Sequence, residues 1–140
     1  MDVMDRMLEL ARQGYFCAQI LLELALEMEG KASPELVRAM GGLNGGVGDS
    51  GGLCGAYTGG VCLLSYFAGK GEEDELPHPE LQTMEDEFEQ WFGQYSAEYG
   101  GRDCRLILQG DQRNKIQRCP IIVRDVFEKC MELLERHGAL

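Results

Sequence analysis

Between Gly41 and Gly60 the sequence reads GGLNGGVGDSGGLCGAYTGG, and ten of those twenty residues are glycine. A chain that concentrates glycine in this way must turn tightly there. Without a Cβ, glycine reaches left-handed backbone angles and lets another backbone or a ligand come close. The run is not a flexible spacer, because Leu43, Val47 and Leu53 interrupt it and it lacks serine-rich uniformity. It reads as a tight loop that delivers Cys54 to the start of a helix.

Around this loop the apolar residues recur at three- and four-residue steps, the period of a helix face. The first such pattern runs from Asp2 to about Met28 through Met7, Leu8, Ala11, Cys17, Ile20, Leu21 and Leu24. Gly14 is placed to kink it or split it in two, and Cys17 falls on its inward stripe. Ser33-Pro34-Glu35 reads as a helix start and Gly41-Gly42 as its end. Further helices are expected over Cys54–Ala68, Leu81–Tyr99, Cys104–Leu108 and from Cys119-Pro120 to about Arg136. Period-two alternation is absent. The expected fold is all-α: a compact bundle of five or six helices, residues 1–140 as a single domain, with the glycine-rich loop leading into the central helix.

The charge narrows the partners. With 24 acidic residues against 13 basic ones, the chain carries a formal charge of −11, which argues against nucleic acid or an anionic membrane surface. The opening MDVMDRMLELARQ mixes acids with its apolar residues and does not resemble a signal peptide, and no stretch has the ~20 apolar residues of a membrane span. A cytoplasmic location is expected. In a reducing compartment, six cysteines point to metal binding or redox chemistry rather than to structural disulfides.

Three motif matches in the loop are coincidental. Gly46-Val47-Gly48-Asp49-Ser50-Gly51 fits the dinucleotide fingerprint G-x-G-x-x-G, but no strand precedes it. The loop lacks the Lys-Ser/Thr ending of a phosphate-binding P-loop. Gly48-Asp49-Ser50-Gly51-Gly52 spells a serine-protease nucleophile motif, yet both histidines, His78 and His137, follow Ser50. Neither histidine has a companion at ligand spacing, and His137 stands where a cation suits a helix C-terminus.

The cysteines at 17, 54, 62, 104, 119 and 130 include no C-x-x-C, so neither a zinc ribbon nor attached haem is indicated. Cys54, Cys104 and Cys119 each fall at an expected helix N-terminus, a setting that lowers a thiol's pKa. Converging helix ends of this kind can hold a thiolate–metal cluster or poise one thiol to attack. Cys62 and Cys130 sit mid-helix among apolar neighbours and read as core residues.

The hexapeptide Cys54-Gly55-Ala56-Tyr57-Thr58-Gly59 has the form CGAxxG. With Cys17 ahead of it and Cys104 and Cys119 behind, the chain resembles the C_GCAxxG_C_C family of bacterial, redox-active proteins. The resemblance covers nearly the whole chain. It implies that Cys17, Cys54, Cys104 and Cys119 form the functional set, with Gly55, Ala56 and Gly59 completing the motif at a cofactor-binding turn. Phe16 stands where the resemblance leads us to expect asparagine. The family is also similar to a domain of split-Soret cytochromes, which implies an iron–sulfur cluster, although the haem-attachment motifs are missing here.

Three functions follow as alternatives. In the first, Cys17, Cys54, Cys104 and Cys119 bind zinc or an iron–sulfur cluster and serve electron transfer to a redox partner, or redox sensing. In the second, the chain is a thiol–disulfide oxidoreductase in which Cys54 attacks and Cys119 or Cys104 resolves. In the third, the small-residue face of Cys54–Ala68, with Gly55 and Gly59 four apart, packs against another chain in a homodimer or assembly module.

Overall fold

The structure, a computed structural model, describes residues 2–140. Among them are eight α-helices: α1 (Val3–Arg12), α2 (Cys17–Met28), α3 (Pro34–Met40), α4 (Gly55–Ala68), α5 (Leu81–Tyr95), α6 (Cys104–Leu108), α7 (Arg113–Gln117) and α8 (Cys119–Arg136). Two 3₁₀ turns, Gly41–Leu43 and Ser96–Tyr99, extend α3 and α5. The described residues form no strand, only an isolated antiparallel bridge between Leu53 and Asp103. The fold is all-α, as the periodicity indicates, but the count of five or six helices falls short. Gly14, at φ +100°, splits the first pattern into α1 and α2. The five-residue α7 has no buried side chain to give it an apolar period. No helix among the described residues is long and apolar enough to cross a membrane.

Helix α4 is the centre. It packs on α2 along one side and on α5 and α8 along the other, and its small residues set how closely they approach. A Cβ on Gly59 would lie 3.0 Å from the Ala18 Cα and from Leu21 Cδ1 of α2. One on Gly60 would lie 2.5 Å from Phe88 Cζ and 2.8 Å from Val126 Cγ1. The bare face of α4 is therefore spent inside the chain. The expectation that it packs between chains is corrected accordingly: helices of the same molecule already cover it.

Aromatic rings fill the space between α4 and α5. Tyr57 stacks on Phe92 at 5.0 Å and on Phe88 at 5.7 Å, and Trp91 meets Tyr95 at 4.9 Å. Pairs of this kind are worth about 0.5–1.5 kcal/mol each beyond the area they bury. Cys130 is fully buried in this core, within reach of the Gly60 carbonyl at 3.5 Å, and Cys62 is half-buried against the smaller cluster of Ala18, Leu22 and Leu26. Both are packing residues. α1 closes the other end: Asp2 caps it by accepting from the Asp5 N–H, and Arg6 ties it to Glu27 of α2 at 2.6 Å.

Candidate functional site

A cleft of about 910 Å³ opens between α1, the start of α2, the glycine loop and the segment 104–123. Cys17, Cys54, Cys104 and Cys119 all line it. Each stands at the beginning of a helix: Cys54 immediately before α4, and Cys17, Cys104 and Cys119 as the first residues of α2, α6 and α8. Of the two outcomes open for Gly14, a kink or a split, the split is the one found, and it makes Cys17 the first residue of a new helix.

Specific bonds bring these remote positions together. The loop doubles back through a left-handed turn in which every residue from Gly45 to Asp49 has positive φ, including Val47 at +63° and Asp49 at +60°. Non-glycine residues in that region cost about 1–2 kcal/mol each. Amides of Gly48, Gly51 and Gly52 donate to the carbonyls of Gly42, Gly45 and Gly46, at 2.8–3.0 Å, and hold the turn. The end of the loop then pairs with the segment before α6. The Cys54 N–H donates to the Arg102 carbonyl at 2.9 Å, and the Cys104 N–H to the Gly52 carbonyl at 2.6 Å. Those two bonds put Cys54 beside Cys104. Asn114 and Arg118 donate to the carbonyls of Leu108 and Ile107, at 2.8 and 2.6 Å, and draw the start of α8 with Cys119 onto α6.

Cys17 is fixed by Asn44, a residue that sequence reasoning missed. Its Oδ1 accepts from the Ala18 N–H at 3.2 Å and lies 3.7 Å from Cys17 Sγ, and its Nδ2 donates to Gln19 Oε1 at 3.0 Å. Phe16, at the N-cap, has no side-chain oxygen to offer, so the cap of α2 comes from the glycine loop instead. An asparagine flanked by two glycine pairs was the available signal. Gly55 completes the join: a Cβ there would collide with Cys17 Sγ and stand 2.9 Å from the Leu43 carbonyl. Ala56 also lines the cleft, whereas Gly59 faces α2 outside it.

The four thiols share one electrostatic environment. Burial pushes Cys54 up to about 12, only partly offset by the amides of Tyr57 and Ala56, with Cys17 and Cys119 pushing it further. Cys119 is pushed up to about 11 by burial and by Cys17 and Cys104. Burial also raises Cys17, against the pull of the Gly45 and Ala18 amides, and raises Cys104, to which Cys17 adds. Helix position alone led us to expect lowered thiol pKa values. Burial outweighs it here, since an enclosed thiolate loses more hydration than a few amides return. Among the described residues, Lys115 is the one cation acting on Cys17, Cys104 and Cys119 together.

All six cysteines are free, and among the described residues no three His, Cys, Asp or Glu side chains are arranged to hold a metal ion. The donor set itself, four soft sulfurs around one opening, is of the kind and number that zinc and iron–sulfur clusters take.

Comparison with curated proteins and with solved structures returns no match. A family model described as "Putative redox-active protein (C_GCAxxG_C_C)" matches residues 15–133, a span that contains all four cleft cysteines and the CGAxxG turn. The chain belongs to the C_GCAxxG_C_C family.

Proposed function

We propose that the four-cysteine cleft is the redox centre of this protein, and that Cys17, Cys54, Cys104 and Cys119 take a metal ion or an iron–sulfur cluster for electron transfer or redox sensing. The observation that carries the reading is that four cysteines spread over 102 positions of sequence, from Cys17 to Cys119, all line one cleft. The burial of the four thiols supports it as well. Each raised thiol is a site where a bound cation would offset the cost of burying a thiolate, and the protons would leave as it binds. When bound, a cluster would supply one-electron chemistry, and zinc would hold the four helix starts together. The chain's own part is to present soft donors, to aim the amides of Gly45, Ala18, Ala56 and Tyr57 at sulfur, and to limit access of water.

The test is anaerobic purification with analysis of iron, zinc and sulfide. Metal should co-purify and should fall in each of Cys17→Ser, Cys54→Ser, Cys104→Ser and Cys119→Ser but not in Cys62→Ser. A colourless protein free of all three elements would end the reading.

A second reading is a thiol–disulfide oxidoreductase, since the four cysteines that line the cleft are all free thiols. In that case burial reverses the roles expected from sequence. Cys104 is the least enclosed of the four and would attack, while Cys54, 7% exposed, would resolve. Mass spectrometry after mild peroxide should then find a disulfide within the set.

A further inference from the structure

The cleft is larger than four sulfurs require, and much of its lining is apolar. Met7 and Leu8 of α1, Ile116 of α7 and Ile122 of α8 line it as well, and Leu8 and Ile116 remain 39% and 81% exposed. About 910 Å³ lies within the 300–1,000 Å³ common for small-molecule pockets, and an apolar wall with a few polar groups is their usual make-up.

Charge selects the ligand. Residues 102–118 contain five basic and two acidic residues, so this segment carries +3 while the rest of the chain carries −14. The cleft lies against that basic segment and is lined by two of its cations, Arg105 and Lys115. Arg105 is paired with Asp103 at 3.1 Å. Lys115 has no carboxylate at ion-pair distance among the described residues. Its ammonium rests 4.9 Å from the centre of the Phe16 ring, at the edge of the cleft, with its donors otherwise unspent. The only carboxylate in the lining, Asp49, folds back over Gly45, where it occupies the space a Cβ would take.

We propose that this cleft binds a small organic anion with an apolar body, of the carboxylate class, its charged head on Lys115 and its body along Met7, Leu8 and Ile116. Bound in this way, the ligand lies beside the four sulfurs and is placed to be their substrate or effector. The proposal shares the cleft with the redox reading and rests on its walls and charge. It therefore stands or falls without regard to what the sulfurs hold.

Titration calorimetry on the reduced full chain tests it with octanoate, octanol, octylammonium and inorganic phosphate as probes. Octanoate should bind tightest. Lys115→Gln should weaken octanoate about tenfold and leave octanol unchanged, as expected for loss of one partly desolvated charge contact. Ala11→Trp, which fills the mouth from the exposed side of α1, should weaken octanoate and octanol alike. Far-UV circular dichroism checks that both variants fold. Octanoate binding no tighter than octanol or octylammonium would overturn the proposal. So would unchanged octanoate affinity in either variant, or phosphate binding as tightly as octanoate, which would mark a site for any anion. Loss of metal from the sulfurs, by contrast, should leave all four affinities in the same order.

Discussion

Gly55 shows how one missing side chain can set a site. A Cβ there would collide with Cys17 Sγ, so the first cysteine reaches the CGAxxG turn only because position 55 carries nothing beyond a hydrogen. Gly55→Ala would push Cys17 away from Cys54 or move the start of α4 off the Leu43 carbonyl. We expect a stability loss of about 1–3 kcal/mol, typical of overpacking. We also expect the metal or disulfide readout to collapse further than that loss explains. Chemical unfolding, run beside metal analysis on the folded variant, separates the two effects. A variant that is less stable yet fully loaded would show that the contact is only packing. The motif's pattern was legible as a string of residues, but its reason was not. Gly55 answers to a sulfur 38 positions earlier in the chain, and Asn44 to an amide 26 positions earlier. Neither dependence leaves a local periodic trace. The positive φ of Val47 is equally hidden, since a β-branched residue is among the last that local preference would place there.

At the scale of the element, α4 carries the fold. Its Gly60 meets Phe88 from α5 and Val126 from α8, the two helices that close the core on that side. Both contacting side chains are fully buried and have no free direction in which to retreat. Gly60→Ala should therefore destabilise by about 1–3 kcal/mol despite alanine's better helix propensity of about 1 kcal/mol. Denaturant midpoints against the parent chain measure the difference. A rise in stability would mean that the α4–α5–α8 junction has slack. Helices of this kind were the legible part of the fold. The apolar faces of α2, α5 and α8 recur over 12, 15 and 18 residues, long enough for the period to emerge. What decides the site lies in the short pieces, α6 and α7, which are five residues each. They are held by bonds from Asn114, Arg118 and the loop end rather than by an amphipathic stripe. That is why Cys104 could be placed at a helix start from sequence, while the neighbouring role of Lys115 could not.

Across the whole molecule, an ionic clasp ties the end of α8 to α5 and makes stability depend on pH. His137 ends α8 with Nδ1 3.1 Å from Glu80, just before α5, and Nε2 3.1 Å from Glu87 within it. Arg136 joins the same group through Glu87 at 2.6 Å and Glu132 at 3.3 Å. The contact with Glu80 raises the His137 pKa above its usual value of 6.5, and Glu87 adds to the rise. Glu87 moves the opposite way, held below the usual 4.5 first by Arg136 and then by His137. The signs follow from linkage. A raised histidine contributes fully below the unfolded value of 6.5, and that contribution is lost as pH climbs through the folded value. A lowered glutamate contributes fully above 4.5, and that contribution is lost as pH falls through its folded value. The clasp is therefore strongest between 4.5 and 6.5 and loosens on both sides. His137→Gln keeps hydrogen-bonding capacity and removes the charge. In urea titrations the parent chain should exceed this variant most at about pH 5.5, and the gap should shrink as pH climbs above the folded value and the imidazole loses its charge. A gap of constant size across that range would mean that His137 acts through shape alone and that its two carboxylates do not sense its proton.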